Sequence, residues 1–256
     1  VSLIRLERSN GIARLGLDRP GRRNAINLEM VAEIEAALEA LRSEPNVLVI
    51  YSCTPGIFAA GADLAELIER DADAALLGIN ARMLEAVERH RWPTIAVVDG
   101  PALGGGCELA LACDLRVVSE RARFGQPELN LGIVAGAGAN WRLVATVGLA
   151  LARRMLYAGY ELDAQAALAA GLADELFSSD ELLQQALRLA QTISTRSWRA
   201  LELTKLALAL YRQPTTAFDM TAQAMLFEGR DKRERMQAFL DERDRRRAQA
   251  PQRGSD

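Results

Sequence analysis

The sequence predicts an α/β fold that passes into a helical C-terminal part. Three observations carry this reading. Short apolar runs rich in Val and Ile alternate with segments of helical periodicity through about the first two-thirds of the chain, the signature of strands interleaved with helices. From Asp163 onward the periodicity becomes mostly helical. Half of the 256 residues are hydrophobic and a quarter are charged, the balance of a globular enzyme with a real core.

The elements follow in order. Leu3 to Leu6 and Ile12 to Leu17 read as strands joined by a turn at Ser9-Asn10-Gly11. Arg19-Pro20-Gly21 then breaks the chain. Asn27 is an N-cap for a helix whose apolar positions Met30, Val31, Ile34, Ala37, Leu38 and Leu41 recur at helical spacing. Val47 to Tyr51 is a buried strand, and Phe58 to Asp63 is a small-residue turn before another helix. Ala74 to His90 reads as helix, stopped by Trp92-Pro93, and Thr94 to Val98 as strand. Glu108 to Ala112 predicts a short buried helix and Asp114 to Ser119 a strand. Helices are then expected near Asp163–Ala170, Ser179–Ile193, Ser197–Tyr211, Thr216–Glu228 and Asp231–Arg246.

Several classes of function are disfavoured by composition. The net charge is −3 with one histidine, which supplies no polyanion-binding surface, so no nucleic-acid partner is expected. No apolar run matches a signal peptide or a membrane span; AVVDGPALGGGCELALAC comes nearest but carries Asp99, Glu108 and several glycines. Cys53, Cys107 and Cys113 are too few and too irregular for a disulfide framework or a zinc site, so no metal is expected and a reducing cytoplasm is the expected location.

The chemistry concentrates in LGGGCELALACD, Leu103 to Asp114. A Walker loop needs Lys and Ser/Thr after its last glycine, whereas Gly106 is followed by Cys107 and Glu108, and a carboxylate repels phosphate. A second cluster, Gly136 to Trp141, starts as GxG but has Trp where a dinucleotide fingerprint needs glycine, and it lies far from the first strand. Both phosphate readings fail. Glycine at a helix start instead lets a ligand approach unpaired backbone N–H groups, at the positive end of the helix dipole. Such amides suit an oxygen that gains negative charge during a reaction. FAAGADL offers a second such turn, so Ala62 N–H pairs naturally with Gly105 N–H as an oxyanion hole. Glu108, set in apolar sequence, and Glu128, twenty residues on, then read either as acid–base groups whose mutual repulsion would keep one protonated or as surface or salt-bridged glutamates; the apolar context of Glu108 favours the first.

Four blocks together resemble the crotonase, or enoyl-CoA hydratase/isomerase, family: RPGRRNAIN at Arg19–Asn27, FAAGADL at Phe58–Leu64, DGPALGGGCELALACDLRV at Asp99–Val117 and FGQPELNLGIVAGAGA at Phe124–Ala139. MQAFLDER at Met236–Arg243 resembles the family's terminal helix. The resemblance implies an α/β fold, a crotonase-like spiral of ββα units over residues 1–195, with a helical trimerisation region over 196–256. It implies homotrimers or hexamers built as trimer pairs, an acyl-CoA thioester substrate and no separate cofactor. It places the oxyanion hole on Ala62 and Gly105, the hydratase acid–base pair on Glu108 and Glu128, and a water-holding N–H on Gly136. CoA is expected along Arg22, Ala60, Ala62, Asp63, Leu64 and Gly105. Retention of both glutamates favours hydration over Δ3-Δ2 isomerisation or another reaction on a specialised acyl-CoA, and over a catalytically silent scaffold or RNA-binding member.

The chain departs from the commonest family pattern after the second carboxylate. A proline and Gly-x-Gly-Gly-Thr-Gln-Arg-Leu are usual there; this chain has Ala135-Gly136-Ala137-Gly138-Ala139-Asn140-Trp141-Arg142-Leu143. Trp141 either shapes the acyl pocket or packs in its helix. Arg22 and Arg23 either meet CoA phosphates or are solvated loop residues. His90 and Cys107 read as structural. RDKRERMQAFLDERDRRR reads as a solvated helix with Met236, Phe239 and Leu240 facing a core or a subunit.

Overall fold

The computed structural model describes residues 2–68, 75–209 and 245. The chain forms two compact units, Val1–Thr195 and Arg196–Asp256. The first unit runs β1 (Ile4–Ser9), β2 (Ile12–Leu17), α1 (Leu28–Ala40), β3 (Val47–Ser52), α2 (Leu64–Leu67), α3 (Ile79–Glu88), β4 (Thr94–Val98), β5 (Pro101–Leu103) and α4 (Gly105–Ala112). It continues with β6 (Leu115–Ser119), β7 (Arg123–Gly125), α5 (Ala139–Ala158), β8 (Leu162–Asp163), α6 (Ala164–Ala169), β9 (Glu175–Phe177) and α7 (Ser179–Ser194). In the second unit, α8 spans Trp198–Ala209.

The large sheet has the order β1-β2-β3-β4-β6-β9, antiparallel between β1 and β2 and parallel beyond. The β1–β2 turn closes in two residues because Asn10 and Gly11 both take positive φ, 51° and 73°. A smaller sheet joins β5 to β7 in parallel and β7 to β8 antiparallel. The chain deals its strands alternately to the two. β4 goes to the large sheet, β5 to the small one, and α4 follows; β6 and β7 repeat the pattern before α5. An isolated parallel bridge between Ala59 and Ala102 adds a third turn of this ββα path, after β3.

Burial explains why these segments fold so. All five residues of β4 are buried, the continuous apolar run that a parallel strand covered on both faces requires. Helix α1 opens on Asn27, whose side chain accepts from Met30 N, and buries Met30, Val31, Ile34, Ala37 and Leu38. Each such aliphatic side chain contributes roughly 1.5–3 kcal/mol on transfer from water. Phe58 and Phe124 are fully buried at the centre of the unit.

Four expectations are corrected. The helix expected over Ala74–His90 is broken at Leu77-Gly78, where Gly78 takes a left-handed φ of 59°: Ala75 and Leu76 are helical before the break and α3 starts at Ile79 after it; Ala74 itself lies outside the described residues. The helix expected from Glu108 starts three residues earlier, so Gly105 and Gly106 form its first turn. Asp114 precedes β6 and accepts instead from Thr94 N and Oγ1. The short strands β5, β7, β8 and β9 were not foreseen, β9 among them falling in the part read as helical. The segments Thr216–Glu228, Asp231–Arg246 and Met236–Arg243 lie outside the described residues, Arg245 excepted.

Candidate active site

The small sheet decides where the site forms. Ala59 bridges Ala102 in parallel, and β5 pairs with β7 in parallel so that Leu103 stands opposite Gly125. Parallel neighbours end at the same edge. The segments that leave that edge are therefore Ala60-Gly61-Ala62, Gly104-Gly105-Gly106 and Gln126-Pro127-Glu128. Backbone bonds tie them at the exit, with Leu103 N donating to Ala59 O at 3.1 Å and Gly104 N to Gly125 O at 2.9 Å. Three stretches far apart in sequence meet within one hydrogen-bond spacing of each other.

Glycine is required at this junction because the chains approach so closely. A methyl group on Gly106 would stand 2.1 Å from the Ala59 carbonyl oxygen, and one on Gly104, whose φ is +52°, 2.8 Å from Glu128 Oε1. A methyl group on Gly105 would lie 3.4 Å from the Ala62 nitrogen, so the two amides are neighbours. Among the described residues neither the Ala62 nor the Gly105 N–H donates to a protein acceptor. Gly105 is the first residue of α4, where helical geometry leaves the N–H unpaired and the helix dipole is positive. Two adjacent, unspent amide donors at a half-buried helix start are arranged to accept an anionic oxygen.

Glu108 lies one turn into α4 and is 3 % exposed. Its Oε1 accepts from Ala137 N at 2.8 Å and from Ala139 N at 3.0 Å. Burial pushes its carboxyl above the usual range, while these two amides and the Arg142 guanidinium pull the other way. Sequence reasoning had singled out Gly136 in that loop. The structure puts Ala137 and Ala139 on the carboxylate, and Gly136 stands exposed beside them; among the described residues its N–H has no protein acceptor.

Glu128 opens a 3-10 turn, Glu128–Leu131, and is half-buried. Burial and the nearby Glu108 carboxylate push its pKa up to about 7, against its own backbone N–H. Gln126, 2 % exposed, sits against it. With the amide nitrogen turned to the carboxylate, Gln126 donates to both Glu128 oxygens at 3.0 Å. The two glutamates thus differ in environment, Glu108 held by amides and near a guanidinium, Glu128 raised towards neutrality. That difference is what acid–base division of labour requires.

The remaining predicted residues surround this edge. Ala60 and Leu64 are exposed, with Ala60 N donating to Arg23 O at 3.1 Å. Arg22 is exposed at the end of a 3-10 turn, Pro20–Arg22. The Asp63 carboxylate is committed elsewhere: it accepts from Arg19 at 2.6 Å and caps α2 through Ala65 N at 3.0 Å. The Arg19 guanidinium, aided by the Ala65 amide, holds the Asp63 carboxyl below its usual range. Its backbone is engaged too, the N–H donating to Ile26 O at 3.0 Å and the carbonyl accepting from Leu67 N at 2.9 Å. Trp141, 37 % exposed, lies in the first turn of α5 with the Arg142 guanidinium 4.3 Å from its ring.

Sequence reasoning missed Asn24, which is fully buried with φ +53°. Its Nδ2 donates to Ser52 Oγ at 2.8 Å and Phe58 O at 2.9 Å, and its Oδ1 accepts from Arg19 N at 2.9 Å. It fastens the Arg19–Asn24 loop to the strand that leads into Ala59. The signal was an asparagine, tolerant of left-handed backbone, within a loop motif. His90 is buried with its Nε2 3.1 Å from Asn46 Oδ1, and Cys107 is wholly buried with its thiol pushed up by desolvation, so both act in packing. Among the described residues no cluster of three or more His, Cys, Asp or Glu is arranged to hold a metal ion, and no helix is long and apolar enough to cross a membrane.

The fold is thus an α/β spiral of ββα units that gathers glycine-rich turns and two glutamates at one sheet edge. The family model described as Enoyl-CoA hydratase/isomerase matches residues 7–249, and the chain belongs to that family, the crotonases. It is 37 % identical over 248 residues to the 2,3-dehydroadipyl-CoA hydratase of Escherichia coli K12, covering 95 % of this chain and 97 % of that one. It is 33 % identical over 249 residues to the short-chain-enoyl-CoA hydratase of Clostridium acetobutylicum, covering 93 % and 94 %. The crystal structure of an enoyl-CoA hydratase from Bacillus anthracis superposes with a TM-score of 0.90 at 28 % identity, covering 94 % and 96 % of the two chains.

Proposed function

We propose that the chain is an enoyl-CoA hydratase, adding water across the C2=C3 bond of a 2-enoyl-CoA thioester. The observation that carries this reading is the placement of two unspent amides, Ala62 and Gly105, beside two glutamates held in different environments. The thioester oxygen sits between the two N–H groups, which stabilise its negative charge as the enolate develops. Glu108, ionised, takes a proton from water while the water oxygen bonds to C3, and the C2=C3 electron pair moves onto the thioester. Glu128, protonated, returns a proton to C2 as the enolate collapses. Gly136 N–H helps hold the water. One proton enters Glu108 and one leaves Glu128, so exchange with solvent resets the pair.

CoA lies along Arg22, Ala60, Ala62, Asp63, Leu64 and Gly105, with Arg22 meeting a phosphate and Ala62 offering its backbone N–H; Trp141 borders the acyl end. The reaction as written needs neither metal nor cofactor beyond the CoA of the substrate. A homotrimer or a dimer of trimers belongs to the same reading, supported by exposed apolar side chains at Leu149, Tyr157 and Leu168. So does a cytoplasmic location, in keeping with three free cysteines. The names of the two relatives point to different enoyl-CoA substrates, short-chain in one and a dehydroadipyl group in the other.

The test is loss of the enoyl-thioester absorbance on mixing the protein with crotonyl-CoA and with a panel of longer and ω-carboxylated enoyl-CoAs. Hydration of at least one member supports the reading. No hydration, with turnover of a 3-enoyl-CoA, moves the assignment to an isomerase, and absence of any acyl-CoA binding moves it to a non-catalytic role.

A further inference from the structure

Arg142 stands behind Glu108 in a setting built for a charge. It is 3 % exposed, and its Nη1 donates to the Ala137 carbonyl at 2.7 Å. The Ala137 N–H donates to Glu108 Oε1, as that of Ala139 does two residues on. Nη2 meets Glu88, at the end of α3, at 2.8 Å. Gly138 makes room for this approach, because a methyl group there would stand 2.1 Å from Nη1 and its φ is +112°. Among the described residues the buried Nε has no hydrogen-bond partner. A guanidinium buried with one donor unmet is poorly compensated, and an apolar side chain of similar size would serve packing at least as well.

We propose that Arg142 is a positioning residue for Glu108: clamped to the Ala137 carbonyl, it fixes the Ala137 and Ala139 amides on the carboxylate, places a buried positive charge behind it, and is itself tuned by Glu88. This deepens the hydratase reading and rests on Glu108 as its base. Among the described residues, the charged or titratable groups around Glu108 are Arg142 on α5, Glu128 on the 3-10 turn and Cys107 on its own helix, with Glu88 on α3 beyond Arg142. The arrangement makes a signed expectation. Removing the positive charge favours the protonated carboxyl; removing the Glu88 charge, which neutralises Arg142, favours the ionised one.

The experiment follows Glu108 directly by its infrared carboxyl band against pH, assigned by its loss in Glu108→Gln, together with the pH profile of crotonyl-CoA hydration. Arg142→Met should raise the Glu108 midpoint by about one pH unit or more, the usual effect of a close opposite charge. It should lower kcat at least tenfold with KM little changed. Arg142→Lys should restore most of the midpoint, and Glu88→Gln should move it the opposite way, to lower pH. If Arg142→Met does not fold, the downward shift in Glu88→Gln, a half-exposed position, carries the test. Midpoints that stay in place while thermal stability falls would overturn the proposal and leave Arg142 a packing residue. Midpoints that shift as expected in a protein that hydrates no enoyl-CoA would keep the Arg142 linkage and discard the hydratase reading.

Discussion

Gly106→Ala probes whether the packing of the glycine turn and the catalytic geometry are one property. The added methyl group would lie 2.1 Å from Ala59 O and 2.7 Å from Ala59 C. That is about 1.2 Å short of the ~3.3 Å at which carbon meets a carbonyl oxygen. Both atoms are backbone, so no side chain can swing aside. Relief means pushing Ala59 away, which strains the bond its carbonyl accepts from Leu103 N at 3.1 Å. Overpacking of this kind costs about 1–3 kcal/mol, and loss of the backbone bond adds ~1 kcal/mol. A fall in Tm of about 4–16 °C corresponds to the resulting range of roughly 2–4 kcal/mol for a chain of this size. Ala62 is three residues beyond Ala59, so the same displacement separates its N–H from that of Gly105. A misplacement near 1 Å lowers turnover by roughly 10²-fold. Differential scanning calorimetry and steady-state hydration of an enoyl-CoA read the two effects. A variant with wild-type Tm would refute the packing argument, and one with lowered Tm but intact kcat would refute the link to the amide pair.

Further outcomes follow from the site. Glu108→Gln and Glu128→Gln should each lower kcat by about 10²–10⁴-fold while calorimetric binding of a CoA ligand stays close to wild type; near-normal hydration by either variant contradicts the assignment. Because Glu128 must carry a proton and its pKa is pushed up to about 7, kcat/KM should fall as pH rises through that value, and a flat profile up to pH 9 would count against its role as acid. The same shift bears on stability. A carboxyl whose folded pKa lies above its unfolded value binds more protons in the native state between pH ~4.5 and ~7, so stability declines as pH rises through that window. Glu128→Gln removes the decline, and its Tm advantage over wild type should appear at pH 8 and vanish at pH 4. Asn24→Ala removes three hydrogen bonds, one buried and two part-buried, and puts alanine at φ +53°, so urea denaturation should show a loss of about 3 kcal/mol or more; a loss under 1 kcal/mol would mean the loop is held by something else.

Much of this was legible along the chain, for reasons that differ by element. The β1–β2 hairpin, α1 and β4 are set by local chemistry: a turn of Asn and Gly, an Asn cap three residues before Met30, a run of β-branched residues. β2, α1 and β4 start where expected, while β1 runs three residues past its expected end, to Ser9, because pairing with β2 carries the ladder up to the turn. Strands of two or three residues such as β5, β7 and β8 carry no period of their own, and they exist because a neighbour supplies the hydrogen bonds. α4 was placed too late because glycine is a poor helix former; the turn forms there because only glycine clears Ala59 and Glu128. The site divides in the same way. Ala62, Gly105, Glu108 and Glu128 stood out as small-residue turns and carboxylates in apolar context. Ala137, Ala139, Gln126 and Arg142 did not, since an alanine amide has no side-chain signal and a helical arginine resembles any surface charge.

The sequence by itself determined the family, the alternation of strand and helix, and the residue types available for acid–base and oxyanion chemistry, because these depend on local periodicity and on which groups are present. Only the tertiary structure decided that Ala59, Leu103 and Gly125 end side by side, that Asp63 is held by Arg19, and that Glu108 is gripped by two alanine amides with Arg142 behind them. Those facts depend on parallel pairing between segments dozens of residues apart. Charge and burial at a site are sums over such neighbours, which no single stretch of chain contains.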